Sequence, residues 1–254
     1  MKRKFQSIID KILPAALFVL FIVLWQILCQ EGVLPRYMLP SPYQVVKAFI
    51  DDFSLIMDHM KITLYETALG LFIGTALGFL FAVCMDSFGF LYKCLYPVLV
   101  VSQTIPTVAI APLLVLWMGY GVAPKITLIV LIVFFPIAAC LIDGFKDVDA
   151  DEIKLLETMG ANKYQIFWHI KLPGSMSRFF GGLRIAVAYA VVGAVVSEWL
   201  GGYKGLGVYM TRVKKSYAYD KMFAVIVLIS VLSLLLIKAV DIANRAAMPW
   251  KGKK

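Results

Sequence analysis

Two carboxylates, Glu66 and Glu198, stand in long apolar stretches, where an ionisable side chain is costly and usually has a task. Glu66 lies one turn inside its stretch, and Glu198 ends its own. Glu198 therefore either pairs with Lys204 or a neighbouring helix at the membrane interface, or it lies with Ser197 on the path of a transported solute. The same two alternatives remain open for Glu66.

Motifs for catalysis are absent from the sequence. No G-x-x-x-x-G-K-[ST] phosphate loop occurs, so this chain is not expected to hold ATP. His59 and His169 are too far apart for a zinc site on one helix, and no two cysteines form a C-x-x-C pair. We therefore expect no catalytic residue, no metal and no cofactor bound by this chain.

Composition places the chain in a membrane. Its 254 residues are 61% hydrophobic and only 16% charged, with a mean hydropathy of +0.83. A soluble domain could not bury that much apolar surface. The net charge of +9 comes from basic residues in short loops and tails, a pattern typical of membrane orientation rather than of nucleic-acid binding.

Six apolar stretches predict six transmembrane helices, since about 20 apolar residues cross a bilayer. We therefore expect an all-α, polytopic membrane domain over residues 12–245, with tails at 1–11 and 246–254. The fifth stretch is rich in small residues, which favours burial inside a bundle. The stretches are Ile12–Gln30, Thr67–Met85 (extended back to about Ile62), Cys94–Pro124, Ile126–Ile142, Ile185–Ser197 and Met222–Ile237.

The third stretch is charge-free for 31 residues, too long for one straight crossing. Its prolines at positions 97, 106 and 112 predict a bent span plus a re-entrant or interfacial piece. Gln103, Thr104 and Thr107 flank Pro106, and they either satisfy backbone groups freed by the proline or line a pore. Tryptophans near span ends and in the tail are expected at the membrane interface: Trp25, Trp117, Trp199 and Trp250.

An even number of spans puts both termini on one side, and both are basic, which predicts that they are cytoplasmic. The loop at 143–182 then also faces the cytoplasm. One loop disagrees with this scheme, because it would carry five basic residues to the outside: Lys204, Arg212, Lys214, Lys215 and Lys221.

The loop at 143–182 contains signals for two short helices. Asp149 and Glu152 have the spacing of a capping box, as do Asn162 and Gln165. Gly160 stands where a left-handed C-terminal cap is expected, and Pro173 is predicted to end the second helix. The pattern predicts a stiff elbow that either lies on the inner membrane face or docks a soluble partner.

Gly160, Ile170 and Leu172-Pro173 have the G-x9-I-x-L-P spacing of the "EAA" loop of binding-protein-dependent ABC importer permeases, a family that the chain resembles. The Glu-Ala-Ala half departs, because Lys154, Leu155 and Leu156 hold its places and Glu157 follows three residues late. Three further segments are similar to the nitrate, sulfonate, taurine and thiamine-precursor branch: "LPSPYQVVKAF", "QTIPTVAIAPLLVLWMGYG" and "SEWLGGYKGLGVYM". Within this branch, the sequence is most similar to thiamine-precursor permeases of the hydroxymethylpyrimidine type.

The resemblance implies a type I importer permease in the cell membrane, and a self-powered secondary transporter or channel is the alternative. The implied partners are a cytoplasmic ABC ATPase dimer that binds ATP and Mg²⁺, an extracellular solute-binding lipoprotein, a second permease copy and membrane lipid. The coupling residues would be Glu157, Gly160, Ala161, Ile166, Phe167, Ile170, Leu172 and Pro173. The translocation path would include Gln103, Thr104, Pro106, Thr107, Ser197 and Glu198.

Overall fold

The computed structural model describes residues 2–31 and 39–249, and the regular elements in these ranges are all helical, which confirms the predicted all-α class. A π-helical segment, Phe167–Lys171, joins α8 to α9. Trp250 and most of the predicted basic tail lie outside the described residues. The helices are α1 Lys2–Gln30, α2 Pro42–Asp51, α3 Phe53–Ser87, α4 Gly89–Ser102, α5 Thr107–Met118, α6 Ala123–Lys146, α7 Ala150–Thr158, α8 Lys163–Ile166, α9 Leu172–Leu200, α10 Leu206–Lys215 and α11 Tyr219–Ala247.

The predicted total of six spans is not confirmed. Among the described residues, four helical stretches are long and apolar enough to cross a membrane, and they run over residues 53–87, 123–146, 163–200 and 219–247. Helices α4 and α5 together make a fifth candidate, bent by 100°. The described apolar part of α1, Ala16–Gln30, is shorter than a crossing. The broken third span was predicted correctly.

The helices form two compact units, residues 1–58 with 209–228 and residues 59–208 with 229–254. In the first unit, Ser41 and Gln44 form a capping box that starts α2. Asp52 accepts hydrogen bonds from Lys221 Nζ and Tyr209 Oη, both at 2.7 Å. The Lys221 bond lowers the pKa of Asp52. One of the five basic residues that contradict the orientation rule is therefore neutralised within its own unit.

In the second unit, three glycines bring α3 against α6. Their ideal Cβ atoms would lie only 2.5–2.9 Å from side-chain carbons of the facing α6 residues. The facing residues keep a constant difference in residue number, so the two helices run parallel, and the contact repeats every four residues. Small residues at such a repeat let two helix backbones approach closely. The facing pairs are Gly70 with Ile129, Gly74 with Val133 and Gly78 with Ile137.

Small residues also join α6 to α9, which run antiparallel. Gly144 faces Ser175, and Gly182 faces Cys140. Ala186, Ala190 and Ala194 are fully buried in the core that also contains Ile129 and Val133 of α6. The fifth apolar stretch is thus packed inside the bundle, as its composition predicts, although its helix is much longer than Ile185–Ser197.

A matched pair of glycine substitutions tests the close packing. Gly74→Ala would place Cβ at 2.8 Å from Val133 Cβ and 3.0 Å from the Val130 carbonyl oxygen, whereas Gly181 has nothing within 4 Å. We expect Gly74→Ala to lower the free energy of unfolding by about 1–3 kcal/mol. Gly181→Ala should leave it unchanged or raise it by up to about 1 kcal/mol. Denaturant unfolding in detergent measures both, and equal stabilities would contradict this packing.

Candidate functional site

The predicted elbow begins at Asp149, which caps α7. Its Oδ1 accepts from the Asp151 backbone N–H at 2.9 Å. The N-cap is confirmed, but the capping box with Glu152 is not formed, since the Asp149 side chain accepts from the N–H of Asp151 and not from that of Glu152. The helix presents most of its surface outward: Leu155 and Met159 are 62% and 73% exposed.

Gly160 ends α7 in the left-handed conformation that the sequence predicts, with φ of +84°. The Gly160 N–H donates to the Glu157 carbonyl and the Ala161 N–H to the Leu156 carbonyl, both at 3.0 Å. These two bonds are those of a Schellman motif, which satisfies the free carbonyls at a helix end. The turn between the two halves of the elbow is therefore rigid.

The second half begins with the predicted capping box, which is confirmed. The Asn162 N–H donates to Gln165 Oε1, and the Gln165 N–H donates to Asn162 Oδ1, each at 2.8 Å. Pro173, however, does not end this helix, so that prediction is wrong. The π-helical turn at Phe167–Lys171 precedes it, and the Leu172 N–H bonds the Phe167 carbonyl five residues back. This wider turn carries the chain past the proline into α9.

Buried contacts fix the elbow to the bundle. Ile166 is 5% exposed, and the Phe167 ring lies 5.7 Å from that of Phe145 on α6. Lys171 Nζ forms an ion pair with Asp86 at the end of α3, at 2.8 Å. The remaining predicted coupling residues Ala161, Ile170, Leu172 and Pro173 are half-buried, and Glu157 is exposed. The elbow thus continues directly into α9, with the outer surface of α7 left open.

The break between α4 and α5 carries the polar residues of the third stretch. Thr104 Oγ1 donates to the Val101 carbonyl at 2.7 Å, so this hydroxyl satisfies local backbone. Gln103, Thr104 and Pro106 are exposed, and Thr107 is half-exposed. Irregular backbone at membrane depth is tolerated only where protein covers it or water reaches it. The break therefore needs a protein neighbour or an aqueous path.

Glu66 and Glu198 belong to one buried polar cluster at the opposite end of α9 from the elbow. Lys125 Nζ binds Glu66 Oε1 at 2.8 Å, and these side chains are 4% and 0% exposed. Glu198, 1% exposed, accepts from Thr63 Oγ1 at 2.7 Å. Lys125 and Glu66 are also close enough to Glu198 for their charges to act on it. This bond to α3 agrees with the neighbouring-helix alternative rather than with a pairing to Lys204, and the place of Glu198 on a solute path stays a prediction.

The cluster holds the turn that follows α9 by its backbone. The Gly207 N–H donates to Glu198 Oε2 at 2.6 Å, and the Leu206 N–H donates to Thr63 Oγ1 at 2.9 Å. A Cβ at Gly205 would lie 2.2 Å from Glu198 Cδ, and one at Gly207 would lie 2.2 Å from the Val195 carbonyl oxygen. Gly205 and Gly207 of "GGYKGLG" are needed because this part of the turn wraps directly over the carboxylate.

His59, Thr63 and Lys125 were missed by sequence reasoning. His59 Nδ1 accepts from the Gly205 N–H at 3.0 Å. One signal in the sequence could have revealed Lys125. It stands alone between two apolar stretches, and a lone buried cation requires a nearby acid. Neither Ser197 nor Glu198 faces an open path in this conformation, since Ser197 is 3% exposed and donates to the Ala194 carbonyl.

Comparisons with known proteins identify the family of the chain. Residues 74–250 match the protein family described as the binding-protein-dependent transport system inner membrane component. The formylaminopyrimidine transport permease protein ThiX of Halalkalibacterium halodurans is 38% identical, with 100% of both chains covered. The putative aliphatic sulfonates transport permease protein SsuC of Bacillus subtilis is 28% identical over 95% of this chain and 87% of its own.

A solved structure shares the fold. It is an inward-facing conformation of the MetNI methionine ABC transporter, superposing with a TM-score of 0.68 at 20% identity. The match covers 77% of this chain and 97% of the MetNI chain.

Two substitutions at one position test the cluster. Thr63→Val removes the hydroxyl that joins Glu198 to the Leu206 N–H, whereas Thr63→Ser keeps it. Because an unpaired buried polar group costs about 1–3 kcal/mol, we expect Thr63→Val to loosen the turn and raise amide hydrogen exchange at Leu206 and Gly207. Thr63→Ser should exchange like the native chain. If both variants protect these amides equally, the hydroxyl does not hold the turn.

Proposed function

The chain belongs to the family of binding-protein-dependent transport system inner membrane components, and on this premise we propose that it passes a small uncharged pyrimidine-type solute, a thiamine precursor, through the cell membrane. The observation that carries the substrate class is the 38% identity to a formylaminopyrimidine permease along the full length of both chains. The chain is a multi-pass permease subunit of an ABC importer and not itself an enzyme.

We propose that two copies surround the path, with the α4–α5 breaks facing it. The break exposes Gln103, Thr104 and Pro106 at membrane depth, where lipid cannot satisfy polar groups. Two breaks that face each other across a two-fold axis would place amides and hydroxyls along a water-filled path. Thr107 begins α5 beside them and would extend this lining.

The chemistry of the break suits a neutral solute. Residues 94–124 contain no charged side chain. The next cation, Lys125, is buried and bonded to Glu66, so it offers nothing to a passing anion. The amide and hydroxyl groups of the break match the ring nitrogens and amino groups of a pyrimidine.

Energy would come from an ATPase dimer that docks on the elbow. The outer surface of α7 is open, and its rigid turn at Gly160 resists bending. The helical stretch from Lys163 to Leu200 is 38 residues long, or about 57 Å. A displacement at the elbow would therefore reach Glu198 and its turn through a single rod. An extracellular binding protein would deliver the solute, with both termini of the permease in the cytoplasm.

A substitution at Gly160 tests coupling to the ATPase separately from folding of the permease. Gly160→Val opposes the left-handed conformation at a cost of about 1 kcal/mol or more, although no neighbouring atom would be hit. We expect normal membrane insertion but reduced co-purification of the ATPase and slower transport. Gly160→Asn is the control, because asparagine tolerates this conformation. Native ATPase yield and transport in Gly160→Val would refute docking at the elbow.

Reconstitution tests the solute class. The permease is placed in proteoliposomes with its ATPase and binding-protein partners, and ATP-dependent uptake of a labelled aminopyrimidine is compared with that of taurine and nitrate. We expect uptake of the pyrimidine alone. Gln103→Lys should reduce it, because a cation would enter the neutral path, while Gln103→Asn, which keeps the amide, should not. Uptake of taurine or nitrate in preference to the pyrimidine would refute the assignment.

A further inference from the structure

A cavity of about 680 Å³ lies between the elbow and the end of α3. Aromatic rings line much of it, from Phe79 on α3 and from Tyr164, Phe167 and Trp168 near the elbow. Tyr164 and Trp168 are 70% and 49% exposed. Such amphipathic rings are enriched where a membrane protein meets the headgroup layer. The cavity thus combines an apolar interior with an interfacial rim.

A second cavity of about 560 Å³ continues the first along α3 and shares Phe79 and Val83 with it. Its lining comes entirely from this helix: Phe72, Thr75, Ala76, Phe79, Leu80 and Val83. From Phe72 to Val83 the helix rises about 17 Å, close to half of the ~30 Å hydrocarbon thickness of a bilayer. The groove therefore has the depth of a single leaflet.

Charges at the wide end of the groove are complementary to a zwitterion. Four charged residues line that cavity: Asp86, Glu157, Lys163 and Lys171. Asp86 and Lys171 form an ion pair, at 2.8 Å. Glu157 and Lys163 have no ion pair among the described residues, so one carboxylate and one ammonium remain available at the same opening.

We propose that this groove binds one phospholipid with a zwitterionic headgroup that carries a primary ammonium, in the leaflet on the side of the elbow. An acyl chain lies along Phe72–Val83, the phosphate meets Lys163, and the headgroup ammonium donates to Glu157. The lipid then contacts both α3 and the elbow. The ATPase-coupling surface is in this way sensitive to the membrane around it.

Lipid retention tests the proposal without solute, ATP or binding protein, so its outcome is independent of the transport assays. The purified permease is incubated with equal amounts of phosphatidylethanolamine, phosphatidylcholine and phosphatidylglycerol and examined by native mass spectrometry. We expect one phosphatidylethanolamine per chain. Lys163→Met should weaken retention about tenfold, the loss of one charge-assisted hydrogen bond of about 1.4 kcal/mol. Lys154→Met is the matched control, since Lys154 pairs with Asp151 outside the groove.

Ala76→Trp provides a second, steric test, because Ala76 is exposed and its replacement fills the groove without touching the core. It should abolish retention while Lys154→Met leaves it native. Equal retention of all three lipids, or retention that neither Lys163→Met nor Ala76→Trp changes, would overturn the proposal. Failure to retain any lipid, with a cysteine at position 76 cross-linking to a second permease copy, would show that protein fills the groove instead.

Discussion

The close contact between α3 and α6 determines the geometry of the second unit. Gly70, Gly74 and Gly78 set the register of the two helices, and the same four-residue repeat carries one step further to Glu66 opposite Lys125. The buried ion pair therefore follows from the helix register. A shift of one residue along the helix would rotate these side chains apart and leave two unpaired charges in an apolar core, which is strongly destabilising. The glycines and the charges thus enforce the same alignment.

The ion pair and the turn after α9 form a continuous polar structure. Thr63 lies one turn before Glu66 on α3, and its hydroxyl connects Glu198 to the backbone of the turn. The intramembrane charges of a self-powered transporter would be expected to extend along a transport path. Here they end in backbone N–H groups of a loop, so the cluster acts as a structural anchor. It holds one end of α9, while the elbow holds the other.

Local signals predicted local structure well. Asn162 and Gln165 form their capping box, Gly160 adopts positive φ, and the helix breaks beside Pro106, because each of these depends on a few neighbouring residues. The partner of Glu198 was not predictable, since Thr63 and Gly207 reach it only through the packing of α3 and α9. The prediction that Pro173 ends the helix failed for a related reason. Tertiary contacts of Phe167 and Lys171 favour a continuous helix. The π-helical turn before Pro173 makes the proline compatible with that helix.

The π-helical turn also sets how the elbow is oriented relative to α9. A π turn contains one residue more than an α turn, and each added residue rotates the preceding helix by about 100°. The direction in which the elbow points is therefore set within Phe167–Lys171. Insertion or loss of a single residue there would rotate the exposed face of α7 by about 100° and would also displace the contacts of Phe167 with Phe145 and of Lys171 with Asp86. The orientation of the elbow and its attachment to the bundle are therefore specified by the same five residues.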